Sequence, residues 1–259
     1  MTPHGFPKEV SHIAFAGDWH GNAQWAKEVI AQLPEEVEVL IHLGDFGYNF
    51  EESYLNSVNR AAKDANILVM FVDGNHENFT TLYSYELEDE GFRVLRPRVW
   101  HLPRNFRWEW GGVKFMALGG AHSVDSRARI PFLSWWPEET ISYKEYETAL
   151  MSGPVDVMVT HDAPAGHHIP GLMPDGYFPD DEIRKADGHR ALLKEIVDEV
   201  KPKLIWHGHY HSRYTETTDY GTIIVGMDCD RTSYNKNIDV VDIATIKEIV
   251  DSVDNGQEV

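Results

Sequence analysis

Five short apolar segments, each followed at once by polar residues, constrain the fold of this chain more than any other sequence feature. They occupy residues 13–16, 37–43, 67–72, 155–159 and 204–206. Segments of this length that are rich in valine and isoleucine are typical of strands buried on both faces of a sheet. Helix-like segments follow three of them, at residues 24–33, 53–64 and 188–200. This alternation predicts crossover connections and a largely parallel sheet core.

Two stretches predict antiparallel pairing instead. Residues 106–118 predict a hairpin that turns at Gly111 and Gly112. Residues 213–243 alternate and turn near residues 219–221. We therefore expect an α/β fold in which two mixed sheets pack together and helices lie outside. Residues 121–188 are the least regular apart from the strand and helix already placed there, and their aromatic content favours substrate-facing loops.

Composition disfavours several classes of protein. The chain has 23 basic and 42 acidic side chains and a net charge of −19, which disfavours a nucleic-acid binder. No apolar stretch approaches the roughly 20 residues of a membrane span, so we expect no membrane association. We find no linker or repeat and expect one domain over residues 1–259.

The location is predicted from the cysteine content and the first residues. Cys229 is the single cysteine, so no intramolecular disulfide forms and a reducing compartment is favoured. Residues 1–10 lack the basic and apolar pattern of a signal peptide. We expect a cytoplasmic protein.

The polar clusters fall at the carboxyl ends of the predicted strands, where α/β sheets bind ligands. Their chemistry-bearing members are Asp18, His20, Asp45, Asn75, His76, His161, His209 and His211. Carboxylates, imidazoles and a carboxamide without a thiolate suit Mn²⁺, Fe, Zn²⁺ or Ni²⁺. Glycines at positions 17, 44, 74 and 208 allow sharp turns and close backbone approach. His42 and His207 lie inside predicted strands, and we expect them to be hydrogen-bonded groups, either in the core or behind the metal ligands.

The order of these clusters resembles the calcineurin-like metallophosphoesterase superfamily. Residues 17–22 read Gly-Asp-Trp-His-Gly-Asn, residues 44–45 Gly-Asp, residues 74–77 Gly-Asn-His-Glu, residues 160–161 Thr-His and residues 208–211 Gly-His-Tyr-His. The resemblance covers about residues 13–213. It implies a four-layer αββα sandwich and a phosphatase or phosphodiesterase that depends on two divalent metal ions, with Mn²⁺ as the first expectation.

The resemblance also implies a role for each residue. One metal would be held by Asp18, His20, Asp45 and His211, and the other by Asp45, Asn75, His161 and His209. Asp45 would bridge the two metals, and a hydroxide held between them would attack phosphorus in line. His76 would stay off the metals and assist the leaving group. Two bound dications would make the site locally positive although the chain is acidic.

Substrate contacts are less defined by the sequence. Residues 44–49 read Gly-Asp-Phe-Gly-Tyr-Asn and lack the Asp-Arg-Gly element of protein Ser/Thr phosphatases in this superfamily. This departure argues against a typical phosphoprotein phosphatase. Candidate substrate-binding residues are His122, Arg127, Arg129 and Tyr210. We expect a small phosphorylated substrate, such as a nucleotide-like molecule, rather than a nucleic acid.

Two alternatives remain open. A nuclease of the same superfamily would use a basic ridge formed by Arg93, Arg96, Arg98, Arg104 and Arg107. A catalytically inactive scaffold with this fold would lack ligands or the leaving-group histidine. Hydrolysis of phosphate mono- and diesters with added metals separates the scaffold from the enzymes.

Overall fold

The computed structural model describes residues 5–170, 172 and 176–254. The strands are β1 (His12–Ala16), β2 (Val39–His42), β3 (Leu68–Phe71), β4 (Arg93–Arg96), β5 (Val99–His101), β6 (Arg107–Trp110), β7 (Val113–Leu118), β8 (Val157–Thr160), β9 (Leu204–His207), β10 (Tyr214–Thr217), β11 (Ile223–Gly226) and β12 (Ile238–Asp242). The α-helices are α1 (Ala23–Gln32), α2 (Glu52–Asp64), α3 (Phe79–Leu82), α4 (Tyr143–Met151), α5 (Asp180–Val200), α6 (Tyr234–Asn237) and α7 (Ile243–Asp254).

The strands form two sheets of the same design. The first has the order β12-β1-β2-β3-β5-β4 and the second the order β10-β11-β9-β8-β7-β6. In each sheet the four central strands run parallel, and one antiparallel strand closes each edge. The two mixed sheets expected from the sequence are therefore confirmed.

Alternation along the strands explains how the layers pack. In β1, Ile13 and Phe15 belong to the core between the sheets, whereas Ala14 and Ala16 belong to the core beneath the helices. The ring of Phe15 stacks on Trp206 of the second sheet, with centroids 4.2 Å apart. Side chains of both sheets thus form one continuous central core.

Helices cover the outer faces. Side chains of α1 and α2 pack against the first sheet, and those of α4 and α5 pack against the second. This arrangement confirms the four-layer αββα sandwich. Among the described residues, no helix combines the length and the hydrophobicity that a membrane crossing requires.

Several boundaries differ from the sequence-based expectation. Helix α5 begins at Asp180 rather than residue 188, because an acidic first turn after Pro179 starts it and the chain stays helical through Gly188. Helix α4 was not predicted, although Ser142 and Glu145 form a capping box at its start.

The antiparallel predictions have mixed outcomes. The hairpin between β6 and β7 is confirmed, with Gly111 and Gly112 at φ +57° and +81°. Within residues 213–243, β10 and β11 form the expected antiparallel pair. Strand β12 instead crosses to the first sheet and pairs with β1. Alternation along a strand specifies its faces but not its neighbours, so the sequence could not place β12.

Candidate metal centre and active site

All seven predicted metal ligands lie on loops that follow the carboxyl ends of parallel strands. Asp18 and His20 follow β1, Asp45 follows β2, Asn75 follows β3, His161 follows β8, and His209 and His211 follow β9. Two overlapping groups could hold an ion: Asp18 with His20 and His211, and Asp18 with Asp45 and His161. Ligand atoms within each group lie within 4.8 Å of one another. The packed sheets thus bring residues from both halves of the chain to one place.

The strongest indication of a cation site is a set of lone pairs around His161. Its Nδ1 lies 2.7 Å from the carbonyl oxygen of Leu43, which only accepts, so Nδ1 carries the proton and Nε2 of the neutral ring has a lone pair. That Nε2 lies 2.9 Å from Oδ1 of Asn75 and 3.4 Å from Oδ1 of Asp45. Asn75 directs its Nδ2 donor to Oγ of Ser123 instead. These acceptors fit a divalent cation.

His20 repeats this arrangement. Its Nδ1 lies 2.9 Å from Oδ1 of Asp230, to which it donates. Its Nε2 then faces Oδ2 of Asp18 at 3.9 Å and Oδ2 of Asp45 at 3.8 Å. His211 Nε2 lies 3.1 Å from Oδ2 of Asp18. A carboxylate behind a histidine is the usual orienting partner of a metal-binding imidazole.

Asp18 is buried at the centre of the cluster. Burial raises the pKa of its carboxyl, but the hydrogen bond with His211 and the nearby imidazoles outweigh it and hold that pKa below its ordinary value. The backbone N–H of His209 donates to Oδ1 of Asp18 at 3.0 Å. The ring of His209 lies 4.9 Å from that of His161, centroid to centroid. Asp18 is therefore an ionised carboxylate that joins several of the predicted ligands.

Backbone strain is concentrated in this cluster. Four predicted ligands have φ angles in the left-handed region, which residues other than glycine rarely adopt. They are His20 (48°), Asp45 (53°), His209 (68°) and His211 (49°). Four of the seven predicted ligands are thus held in costly conformations. Strained residues of this kind persist where the surrounding structure imposes them and are common at functional sites.

The four glycines show the close approach expected from the sequence, as Gly44 and Gly74 illustrate. A methyl group at Gly44, which has φ +93°, would overlap the ring of His161. A methyl group at Gly74 would overlap Asp45. Glycine at these positions therefore permits the packing of the ligand loops.

Glu77 ties the loops after β2 and β3 together. This buried residue accepts the backbone N–H of Phe46 at 2.6 Å through Oε1 and that of Gly74 at 2.7 Å through Oε2. Burial, followed by the charges of Asp45 and Asp73, raises the pKa of Glu77 well above its ordinary value. Asp45 and Asn75 are thereby carried on loops that share one acceptor.

The candidate substrate residues all have protein partners. His122 Nε2 lies 2.8 Å from Glu182, and Arg127 Nε lies 3.0 Å from the same carboxylate. Tyr210 donates from its hydroxyl to Asp162 at 2.6 Å, and its ring lies 4.8 Å from that of His209. Tyr210 therefore borders the cluster directly.

Arg129 lies beside the leaving-group candidate. Its Nη1 is 3.1 Å from Nδ1 of His76, and its Nη2 is 2.8 Å from Oε2 of Glu139. The segment after Arg129 exposes three large apolar side chains: Ile130 is 59%, Phe132 67% and Leu133 65% exposed. Part of the irregular stretch 121–188 thus borders the site, as expected from the sequence.

Sequence reasoning overlooked the groups behind the predicted ligands. Asp230, Ser123 and Glu139 were not singled out, because no local pattern marks a residue whose role is to orient a distant side chain. His207 is hydrogen-bonded as predicted, to Gly208 and Tyr214.

His42 lies in the core as expected, but the prediction that it is hydrogen-bonded is wrong. Neither of its ring nitrogens has a hydrogen-bond partner in the described part of the chain. The buried ring instead packs edge-on against Trp19, with centroids 4.6 Å apart. Burial lowers the pKa of His42 to about 3, so the ring is neutral.

The five arginines considered for a nuclease ridge make contacts within the protein. Arg104 is buried, and its guanidinium lies 2.6 Å from the carboxylate of Asp73. Each of the others also donates to a protein acceptor. Much of their hydrogen-bonding capacity is therefore used internally.

Comparison with known proteins identifies the class to which this fold and site belong. A sequence model described as calcineurin-like phosphoesterase matches residues 11–213. The chain therefore belongs to the calcineurin-like phosphoesterase family. The family hydrolyses phosphoester bonds and is typically dependent on two metal ions, and the cluster described above offers ligands for them.

Individual relatives are more distant. A lariat debranching enzyme from Schizosaccharomyces pombe is 25% identical over 192 residues, which span 70% of this chain but only 39% of that protein. A solved structure from Thermus thermophilus has a TM-score of 0.55 at 10% identity and covers 90% of this chain and 99% of its own. A dimetal phosphatase from Danio rerio has a TM-score of 0.53 at 15% identity, with 90% and 92% covered. The two structures share the fold.

Proposed function

We propose that this chain is a dinuclear metal-dependent phosphoesterase acting on a small, nucleotide-like phosphorylated substrate, and that residues 1–259 form one catalytic domain. The observation that carries the proposal is the set of lone pairs that His161, Asn75 and Asp45 direct at one another. When the His161 ring is neutral, these lone pairs face each other in a buried site, and a metal cation bound between them would remove their repulsion. Family membership and the strained ligand loops add support.

Each metal would have four ligands, with Asp45 shared. Asp18, His20, Asp45 and His211 would hold one ion, and Asp45, Asn75, His161 and His209 would hold the other. Mn²⁺ is the proposed metal, with Fe, Zn²⁺ and Ni²⁺ as alternatives that the same nitrogen and oxygen donors bind. When bound, the ions would neutralise charge on the phosphoryl oxygens and make a nucleophile available from water near neutral pH.

The chain's own residues would position the substrate and assist its leaving group. His76 would donate to the leaving-group oxygen, and Asp45 would hold the backbone of His76 in place through a hydrogen bond of 2.9 Å. His122, Arg127, Arg129 and Tyr210 stay the proposed substrate contacts. Because Glu182 already pairs with His122 and Arg127, a phosphate would compete with that carboxylate for them.

Substrate size and location are inferred from charge and composition. A net charge of −19 favours a small substrate, since a long nucleic acid would be repelled outside the metal centre. The single cysteine, Cys229, supports a cytoplasmic location.

A second candidate is the debranching activity named for the Schizosaccharomyces pombe relative. The observation that favours it is the match over 70% of this chain. The internal contacts of the five arginines weigh against a basic ridge for a nucleic acid.

Hydrolysis assays test the proposal. Metal-free protein is assayed with p-nitrophenyl phosphate and bis-p-nitrophenyl phosphate after addition of Mn²⁺, Fe²⁺, Zn²⁺ or Ni²⁺, and an Asp45→Asn variant purified in the same way reports contaminating activity. We expect metal-dependent turnover that a chelator abolishes. Absence of turnover with every metal would favour the inactive scaffold. Cyclic nucleotides, dinucleoside polyphosphates, single-stranded DNA and phosphopeptides then define the substrate class.

A further inference from the structure

The histidines around the site differ in what their Nδ1 atoms contact. Nδ1 of His161 donates to the carbonyl oxygen of Leu43, and Nδ1 of His20 donates to the carboxylate of Asp230. In a neutral ring, a donating Nδ1 leaves Nε2 with a lone pair. Both of these histidines therefore present the atom that a metal requires.

His76 has the opposite kind of partner. Nη1 of Arg129 lies 3.1 Å from Nδ1 of His76. A guanidinium has N–H donors and no acceptor, so Nδ1 of His76 accepts and the ring proton is on Nε2. Nε2 with its proton cannot ligate a metal. Within residues 5–170, 172 and 176–254, no hydrogen-bond partner of this Nε2 is present.

Several hydrogen bonds fix the orientation of the Arg129 guanidinium, so that it can determine the tautomer of His76. Its guanidinium also donates to the carbonyl oxygen of Ser134 at 2.9 Å, to the carboxylate of Glu139 at 2.8 Å and to Oγ of Ser123. Only 10% of its side chain is exposed. A guanidinium with this many acceptors stays oriented toward the imidazole.

We propose that Arg129 is a positioning residue that holds His76 as the Nε2–H tautomer, so that His76 stays off the metals and donates a hydrogen bond to the leaving-group oxygen. This inference rests on the proposed function, because the leaving group belongs to the substrate. The type of group at Nδ1, donor or acceptor, would thus separate His76, the proton donor, from His20 and His161, the metal ligands.

Nuclear magnetic resonance of the metal-free protein tests the tautomer without any assay of activity. Long-range ¹H–¹⁵N spectra of ¹⁵N-labelled protein distinguish the two neutral forms, and a His76→Ala variant assigns the signals. We expect the Nε2–H tautomer in the natural sequence and loss of that preference in Arg129→Met. Asp125→Asn is the matched control, since Asp125 contacts Nε of the same guanidinium on an exposed side chain and should leave the tautomer unchanged.

Kinetics of the metal-loaded protein test the consequence. Aryl phosphates with good and poor leaving groups are compared in Arg129→Met, His76→Ala and the double variant. We expect Arg129→Met to lower kcat by about 10–100-fold for the poor leaving group and less for the good one, as loss of an orienting partner does. The double variant should be no slower than His76→Ala, and Arg129→Lys should restore part of the rate.

Four results would overturn the inference. Three are an Nδ1–H tautomer in the natural sequence, an Arg129→Met spectrum with unchanged tautomer, and additive losses in the double variant. The fourth is a rise in KM alone, with kcat unchanged, which would leave Arg129 with only the substrate contact proposed above and no role in positioning His76. If no phosphate ester is hydrolysed with any metal, the proposed function fails, while the spectra still decide whether Arg129 sets the tautomer.

Discussion

Oδ1 of Asp45 accepts the backbone N–H of His76 at 2.9 Å. The carboxylate proposed to bridge the metals therefore also places the residue proposed to assist the leaving group. The same oxygen accepts the backbone N–H of Asn75 at 3.0 Å. If both proposed roles hold, binding of metal and placement of the proton donor are coupled through this one side chain.

Replacing Asp45 with asparagine should remove both functions. The amide lacks the charge that a shared ligand supplies, so we expect metal content to fall below two ions per chain. Loss of a residue that only orients a metal ligand costs about 10–100-fold in activity, and we expect a larger loss for Asp45→Asn. Elemental analysis and turnover with Mn²⁺ measure the two effects. The control is Asp198→Asn, which replaces an exposed carboxylate of α5 and should retain both metal content and turnover. An Asp45→Asn protein that binds two metals and stays active would contradict the bridging role.

Replacing His76 with alanine should separate metal binding from catalysis. Nδ1 of His76 accepts from Arg129 and Nε2 would carry the ring proton, so removal of the ring should take no ligand from the metals. We expect two metals to remain and turnover to fall by about 10²–10⁴-fold, the usual contribution of a positioned proton donor. Metal loss in this variant would show that His76 is a ligand.

Glu77→Gln should loosen the ligand loops. Glutamine has one side-chain oxygen, so the N–H of Phe46 or that of Gly74 loses its acceptor. A buried donor left without a partner costs about 1–3 kcal/mol. Urea unfolding of the metal-free protein measures this loss, and the exposed Glu86→Gln should stay within about 0.5 kcal/mol of the natural sequence. Equal stability of the two variants would contradict the role given to Glu77.

Gly44→Ala should displace His161. Both a positive φ and a contact with the imidazole oppose the added methyl. Gly153 provides a matched control, because it has φ +76° and no neighbour within 4 Å. We expect backbone strain to destabilise both alanine variants, by about 1–3 kcal/mol, but only Gly44→Ala to lose metal affinity in a Mn²⁺ titration. Equal metal affinity in the two variants would refute the contact as the reason for glycine.

Glu182 should make stability depend on pH. The hydrogen bond from Lys185 lowers the pKa of the Glu182 carboxyl, and contacts with His122, Ser126 and Arg127 act in the same direction. Together they outweigh burial, which raises the pKa, and bring it from 4.5 to about 2. A carboxyl with a lowered folded-state pKa contributes its full stability above pH 4.5 and loses it as the pH falls toward 2. Relative to Glu182→Gln, the natural sequence should therefore lose stability between these limits.

The size of this effect is modest, because Lys185 and Arg127 are 56% and 59% exposed and solvent screens them. We expect about 1–2 kcal/mol after that screening. Urea midpoints of both proteins at pH 7, 5, 4 and 3 measure the difference. A difference that stays constant over this range would show that Glu182 is not responsible.

Local patterns predicted the parts of the fold that local physics controls. The five apolar segments became β1, β2, β3, β8 and β9, because uninterrupted apolar runs suit strands covered on both faces. The same patterns placed the seven predicted ligands at strand ends. They did not predict α4 or the first turns of α5, where the signals were polar caps rather than apolar periodicity.

The amino-acid sequence by itself determined which elements form and which chemical groups stand at their ends, since both follow from residues close together in the chain. Only the tertiary structure decided which partner each imidazole meets. His20 meets Asp230 across 210 positions, and His161 meets Leu43 across 118. Hydrogen-bond donors and acceptors act over about 3 Å, so the tautomer of each histidine depends on loops that only the packed sheets bring together.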